Sequence, residues 1–261
     1  MLHYKIKQNT KPLIMKTKIN LFSDAFLAYL FVMVLTVNND LNASNPEPGS
    51  IVIKKCSDFT VTGDGSSVEW DKTEWLNVAQ QGMGPVLYST RVKVLYSATG
   101  IYFLFNCVDK KLTSTLSGDF LDLYNEDVVE VFLWPDESFP VYFEYEVSPL
   151  NYELPIIIPN YNGKFFGWKP RHYEGERLTR HETSTVGGQK VSGGEVSGWA
   201  AEFFIPYKLL VPLNNVPPSS GTKWRANMYR IDYDSGAKHF AWQKIDKSFH
   251  EYNHFGTFIF E

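Results

Sequence analysis

The chain has 261 residues, of which 44% are hydrophobic and 16% aromatic, and its formal net charge at pH 7 is −4. An acidic chain without a basic run repels phosphate backbones, so nucleic acid is excluded as a predicted partner. Its two cysteines, Cys56 and Cys107, form no C-x-x-C motif and therefore offer no zinc or thioredoxin-type site, while a disulfide between them and two buried thiols both remain open.

The first 43 residues are predicted to be a secretory signal peptide. Lysines precede an apolar run over residues 25–37, and the small Ala43 stands directly before Ser44. The run has about 13 residues, well short of the roughly 20 that a membrane-spanning helix needs. We therefore expect cleavage after Ala43, export to the periplasm or the extracellular space, and no stable membrane insertion. Met15 is an alternative start, and an uncleaved anchor or a buried helix is the alternative interpretation of the apolar run.

Residues 44–261 are predicted to form one all-β domain, an antiparallel β-sandwich of the jelly-roll or immunoglobulin-like kind. Short runs rich in Val, Ile, Phe and Tyr alternate with Gly, Pro, Asn and Asp, and helical structure is limited to one turn at 207–210. The glycine-rich stretch 187–198 is predicted to be a hairpin loop. The strand candidates are residues 51–53, 91–96, 101–108, 127–134, 141–147, 199–205, 223–231, 239–243 and 257–260.

Within the strand candidate 141–147, alternate residues define two faces. Phe143 and Tyr145 share the side predicted to face the core, and Tyr142, Glu144 and Glu146 share the other. Two carboxylates beside a phenol predict that this second face is exposed to solvent.

Acidic side chains are the candidates for catalysis. Glycoside hydrolysis needs two carboxyl groups on either side of the scissile bond, about 5–9.5 Å apart. Glu144 and Glu146 lie two residues apart on one strand and point the same way, whereas Glu130 on another strand would complete a pair. A glycoside hydrolase or accessory enzyme that uses Glu130 with Glu144 or Glu146 is one alternative, and ligand-binding or solvated acids are the other. Glu202 belongs to the same set of candidates.

No cofactor is predicted, and calcium is the metal left open. The acidic loop 119–130 offers oxygen ligands but does not match the EF-hand spacing, so metal ligands stay unassigned. The six histidines are scattered and form no H-E-x-x-H motif, which favours structural or surface positions.

Aromatic residues at predicted loops and strand ends indicate a carbohydrate site. A sugar ring is apolar on its C–H face and polar around its rim, so it suits an aromatic platform beside carboxylates and amides. Tyr124 and Phe249 have Asn, His or charged neighbours, which favours a surface role. Trp242 is a further ligand-binding candidate, and Trp168 is a further ring of this kind.

Several motifs, in chain order, resemble those of family 9 carbohydrate-binding modules. Residues 123–132, L-Y-N-E-D-V-V-E-V-F, resemble the family's W-x-x-D-x-V-E-I-F segment. Asp64-Gly65 with Trp75 resembles the opening D-G…W. Three later segments resemble further patterns of the family. They are residues 198–206 (family pattern E-x-x-I-P), residues 221–227 (G-x-x-x-x-x-N), and residues 240–243 with 249–256 (W…F-G).

The resemblance implies a β-sandwich whose loops clamp a sugar, often a chain end, between two aromatic rings. By position, Tyr124 and Phe249 fall where family members carry the clamping tryptophans. Asp127 and Glu130 match the family's acidic pair, and Glu146 stands in place of a binding arginine. The implied function is non-catalytic binding of a mono-, oligo- or polysaccharide in support of polysaccharide breakdown.

A related resemblance, to DOMON-like sandwiches, leaves a haem-binding alternative. Haem iron would need axial His or Met ligands, for which Met228 and His239 are the candidates. The sequence around these two residues does not favour ligation.

Overall fold

The structure is a computed structural model that describes residues 49–261, except residues 163, 166, 168 and 172. The predicted signal peptide and Trp168 therefore lie outside the described residues. None of the helices in the described part of the chain has the length and hydropathy that a membrane crossing requires.

The described residues form fifteen β-strands, four short 3₁₀ helices and one single-turn α-helix. The strands are β1 Ser50–Lys55, β2 Leu76–Asn77, β3 Ala79–Gln80, β4 Thr90–Tyr96, β5 Gly100–Val108, β6 Val128–Trp134, β7 Val141–Val147, β8 Glu153–Tyr161, β9 Lys164–Phe165, β10 Lys169–Pro170, β11 Arg180–Val186, β12 Gly198–Pro206, β13 Lys223–Asp232, β14 Lys238–Ala241 and β15 Gly256–Phe260. The helix α1 is Tyr207–Leu210, and the 3₁₀ helices are Val68–Lys72, Leu123–Asn125, Gly175–Arg177 and Tyr252–His254.

The strands form two layers that share β1. The front sheet has the order β10-β8-β7-β6-β13-β15-β1, and the back sheet has the order β1-β4-β5-β12-β11. Strand β1 pairs in parallel with β15 through Ser50–Ile53 and with β4 through Lys54–Lys55, so it passes from one sheet to the other. The other ladders between these strands are antiparallel. The predicted β-sandwich is thus confirmed, with parallel pairing at the shared strand.

The main core lies between the two sheets. Phe143 and Tyr145 of β7 point into it, as the alternation predicts, and they meet Phe103 and Phe203 of the back sheet. The rings of Phe103 and Phe203 stack with their centroids 5.3 Å apart. Each fully buried Phe contributes roughly 1.5–3 kcal/mol relative to an exposed one, so these rings help to hold the layers together.

Each sheet is also covered on its outer face. On the front sheet, the segment 245–255, here called the front cover, packs Phe249, Tyr252 and Phe255 over strand residues. On the back sheet, Trp70 and its neighbours pack against Tyr102 and Leu104. Strand β5 is therefore apolar on both sides because both of its faces are buried.

The outer face of β7 differs from the prediction. Glu144 is only 4% exposed and Glu146 is 0% exposed, so this face is buried and not exposed to solvent. The reason is the front cover, which comes about 100 residues later in the chain and which the alternation of one strand cannot reveal.

The two cysteines are free thiols. Cys107 lies in the core between the sheets, whereas Cys56 lies in the cluster on the outer face of the back sheet. Burial raises the pKa of both thiols to about 12, which keeps them protonated and unreactive. Of the two arrangements left open by the sequence, the structure shows buried thiols.

The glycine-rich stretch connects β11 and β12 as a hairpin, as predicted, with Val186 opposite Gly198. A Cβ atom on Gly198 would lie 2.6 Å from the carbonyl oxygen of Cys107. Glycine is therefore required where β12 comes close to β5.

Candidate functional site

A cavity of about 360 Å³ lies between the outer face of the front sheet and the front cover. Strand residues Glu130, Phe132 and Glu144 line its floor, and Phe249 and His250 of the front cover line its wall. Tyr124, from the 3₁₀ helix that precedes β6, completes the lining at one edge. The cavity therefore combines aromatic rings with carboxyl groups.

The strand register brings three carboxyl groups together beneath this cavity. Glu130 on β6 is directly opposite Glu146 on β7, and the neighbouring pair is Phe132 with Glu144. Residues two apart on a strand share a face, and opposite residues have Cβ atoms about 4.5–5.5 Å apart. Glu130, Glu144 and Glu146, here called the acid triplet, therefore form one patch.

Burial dominates the electrostatics of the acid triplet. It raises the pKa of Glu144 to about 8, and it raises the pKa values of Glu130 and Glu146 well above their ordinary range. Repulsion from Glu144 adds to the rise in the pKa of Glu130, and both neighbours add to that of Glu146. Burial thus favours the protonated form of all three groups in the free protein.

His250 does not neutralise the acid triplet. Its Nδ1 atom lies 2.7 Å from the hydroxyl of Tyr142 and 4.0 Å from Oε2 of Glu144. Burial lowers the pKa of His250 to about 4, so the imidazole is neutral at pH 7. Its ring packs against Phe132 with the centroids 5.3 Å apart, which fixes one wall of the cavity.

The two predicted clamp rings both line the cavity, but they differ in burial. Tyr124 is half-buried. Phe249 is 8% exposed, because its ring stacks on Tyr229 with the centroids 4.0 Å apart and meets His239 edge-on. Tyr124 can therefore contact a ligand at little cost to the fold, whereas Phe249 also belongs to the packing of the front cover.

Three other candidate residues lie away from the cavity lining. Asp127 is fully buried and accepts hydrogen bonds from the backbone N–H groups of Thr113 (2.6 Å) and Tyr233 (2.8 Å), so it anchors the start of β6. Glu146 lies in the acid triplet but does not reach the lining. Trp242 is half-buried and packs on the main core, with its ring 5.7 Å from that of Phe258.

Glu202 fixes the segment that covers the back sheet. It is fully buried and accepts hydrogen bonds from the backbone N–H groups of Thr62 and Gly63 and from the indole N–H of Trp70, each at 2.8 Å. These charge-assisted hydrogen bonds hold the covering segment in place. Glu202 lies in the back sheet, whereas the acid triplet lies in the front sheet.

One cluster that the sequence reasoning missed is centred on Arg230. This fully buried side chain forms ion pairs with Asp109, at 2.9 Å, and with Asp232. Within the described part of the chain, Asp109, Asp232 and Asp234 come close enough together to share a metal ion, but the Arg230 guanidinium already lies on two of them. The acidic loop singled out for calcium does not contribute to this group.

The haem alternative needs Met228 and His239 to converge, and they do not. Met228 is buried in the main core, whereas His239 lines the cavity on the outer face of the front sheet. A single haem iron therefore has no axial pair in these two residues.

Comparison with known proteins gives matches in sequence and in fold. Residues 61–155 match the model of the family described as "Carbohydrate family 9 binding domain-like". A putative carbohydrate-binding protein from Bacteroides uniformis superposes with a TM-score of 0.65 at 17% identity, covering 82% of this chain and 99% of that one. A comparison with curated protein sequences gives no match.

Two further structures are of a family 9 carbohydrate-binding module from Caldicellulosiruptor kristjanssonii. The complex with glucose has a TM-score of 0.57 at 16% identity, covering 81% of this chain and 95% of that one. The complex with cellotriose has a TM-score of 0.56 at 15% identity, covering 81% of this chain and 93% of that one. The described residues are thus a β-sandwich with a covered front face. Within it, residues 61–155 match the carbohydrate family 9 binding domain-like model, which confirms the resemblance predicted from the motifs.

Proposed function

We propose that this chain is a non-catalytic carbohydrate-binding protein that captures a sugar or a glycan chain end in the cavity beneath the front cover. The observation that carries the proposal is that Tyr124, Phe249, Glu130 and Glu144 all line one cavity of about 360 Å³. The family match and the sugars bound by the similar modules support it.

The lining suits both parts of a sugar. The apolar C–H face of a pyranose packs on an aromatic ring, and Tyr124 and Phe249 are two rings that line the cavity. The hydroxyl groups of a sugar both donate and accept hydrogen bonds. A carboxyl group donates a hydrogen bond when it is protonated and accepts hydrogen bonds in either form. Glu130 and Glu144 at the floor therefore serve as the polar partners of the sugar.

The same geometry favours binding over hydrolysis. A glycosidase needs one carboxyl group on each side of the scissile bond. Glu130 and Glu144 lie on the floor, Glu146 shares their face of the sheet, and the described lining residues of the front cover carry no carboxylate. The pairing of Glu130 with Glu144 or Glu146 thus provides hydrogen-bonding groups on one side of a ligand only.

Export and a role in polysaccharide breakdown are part of the proposal. A protein that holds chain ends outside the cytosol supports breakdown by keeping a polysaccharide near the enzymes that cut it.

We expect the exported protein to begin at Ser44 or within a few residues of it, since Ala43 ends the signal-like segment. Intact-mass measurement of the exported protein checks this. A product that retains residues 25–37 would show an anchor instead.

Tyr124→Ala is expected to weaken sugar binding about tenfold, because one aromatic stacking contact contributes on the order of 1 kcal/mol. The melting temperature should barely move, since Tyr124 is only half-buried. Calorimetry with the sugar that the wild type binds in a glycan screen measures the affinity, and a thermal melt measures the stability.

The control for this experiment is Tyr161→Ala, which removes a tyrosine that is 61% exposed and lies outside the cavity. It should leave sugar affinity unchanged. If Tyr124→Ala binds as tightly as the wild type, Tyr124 is not a wall of the sugar site.

A further inference from the structure

We propose that the cavity selects a sugar that carries a protonated amine, with the ammonium group placed against Glu130 and Glu144 and the sugar ring against Tyr124. This inference deepens the proposed function and rests on it. It names an amino sugar, such as a glucosamine unit, as the preferred ligand over a neutral sugar.

The carboxyl group of Glu130 is placed to accept a hydrogen bond from a ligand. Its side chain lines the cavity and is 2% exposed, yet its Oε1 atom accepts no hydrogen bond from the described residues. Leaving a buried polar atom without a partner costs about 1–3 kcal/mol, and more when the group is charged. Oε2 of Glu144, also at the cavity, lies beyond hydrogen-bonding distance of His250. Both atoms are placed to accept from a ligand.

The balance of charge around the cavity favours a cationic ligand. No lysine or arginine among the described residues forms an ion pair with the acid triplet. Burial lowers the pKa values of His239 and His250, which keeps both neutral at pH 7. It also raises the pKa values of the nearby tyrosines, Tyr124, Tyr142 and Tyr229, so they add no charge. Lys247 lies at the rim and is exposed to solvent.

The cavity suits an organic cation better than a metal ion. The described acids that converge within the distance of a shared metal are Asp109, Asp232 and Asp234, not the acid triplet. The cavity instead places aromatic rings beside its carboxyl groups. A cation near an aromatic face is attracted by the ring quadrupole, and an ammonium group donates up to three hydrogen bonds. An ammonium group on a sugar ring matches both features.

Binding of an amine should release protons. In the free protein burial favours the protonated form of the acid triplet, whereas a neighbouring cation favours the carboxylate form. The arrival of the ammonium group therefore lowers the pKa of the carboxyl groups that receive it. A neutral sugar makes no such change, so the number of protons released reports on the ligand's charge.

The test is calorimetry at about pH 7 with glucosamine, N-acetylglucosamine and glucose, each as the monosaccharide and as the β-1,4-linked trimer. We expect the glucosamine ligands to bind at least about tenfold more tightly than the other two. Titrations in two buffers of different ionisation enthalpy should show release of a proton with glucosamine and none with glucose.

Two variants test whether Glu130 determines the preference for the amine. Glu130→Gln should bring the ratio of glucosamine to glucose affinity towards one, whereas Glu74→Gln, the same change at an exposed position outside the cavity, should keep the wild-type ratio. Glucose bound as tightly as glucosamine by the wild type would overturn the amine preference and leave the proposed function intact. If none of the six ligands binds, the proposed function fails as well. Loss of glucosamine binding on addition of calcium chloride would assign the carboxyl groups to a metal and overturn the inference.

Discussion

Arg230→Met is expected to destabilise the fold by about 3–5 kcal/mol, which is the cost of removing one partner from a buried ion pair. The guanidinium lies between the sheets, where it pairs with Asp109 and Asp232 and donates hydrogen bonds to Oγ1 of Thr90 (3.1 Å) and to the carbonyl oxygen of Val108 (2.7 Å). Methionine fills similar space but leaves two buried acids without a cation.

Urea unfolding at pH 7 measures this loss. Arg177→Met is the matched control, because Arg177 is exposed and its replacement should change the free energy of unfolding by no more than about 0.5 kcal/mol. A loss below about 1 kcal/mol for Arg230→Met would mean that the ion pairs contribute little to joining β13 of the front sheet to the back sheet.

The free protein is expected to lose stability as the pH rises from about 6.5 to about 8. A carboxyl group whose pKa is raised by folding contributes stability at low pH that disappears as the pH rises through the folded pKa. The pKa of Glu144 rises to about 8, and the pKa values of Glu130 and Glu146 also rise. Each group that stays protonated in the folded state and ionises on unfolding lowers the free energy of unfolding by about 1.4 kcal/mol per pH unit.

The pH window follows from the other titrating groups. Asp127, whose pKa burial raises to about 8, acts in the same direction. His250, whose pKa is lowered to about 4, acts in the opposite direction below about pH 6.5, where the unfolded imidazole takes up a proton. Urea midpoints at about pH 6.5 and pH 8 are therefore the comparison to make.

Glu146→Gln separates the acid triplet from the other groups. It should reduce the pH dependence and raise the stability at about pH 8, while the exposed Glu74→Gln should do neither. Stability that stays level or increases over this window in the wild type would contradict the electrostatic account of the acid triplet.

The sequence predicts the parts of the fold and site that depend on local pattern. Alternation in β7 correctly places Phe143 and Tyr145 in the core, because the residues on one face of a strand can be identified as apolar from that strand's own sequence. Tyr124, Glu130 and Phe249, which the motif positions assign to a sugar site, line one cavity although more than 100 residues separate the first and last of them, and their role in binding stays a prediction.

The burial of Glu144 and Glu146 could not be predicted in this way. Alternation tells which residues share a face, but it does not tell what covers that face, and the front cover belongs to a distant part of the chain. The same limit applies to Glu202, whose partners Thr62, Gly63 and Trp70 lie more than 130 residues before it. Polar residues inside strands find their partners through the fold, so their roles emerge only when the strands are assembled.

Arg230 illustrates the limit most clearly. It lies in a strand that alternates as expected, and its inward position would ordinarily be apolar. Its partner Asp109 directly follows β5 of the opposite sheet. A charged residue at an inward position of a central strand indicates a buried ion pair. It does not indicate which residue is the partner.

The most direct measurement is a crystal structure of the protein grown with a sugar that it binds. We expect density for the sugar in the cavity under the front cover, with one face on the ring of Tyr124 and a polar group within hydrogen-bonding distance of Glu130. Density at another surface, such as the groove lined by Arg180, Phe204 and Tyr207 on the far side of the molecule's back sheet, with the front cavity empty, would contradict the account.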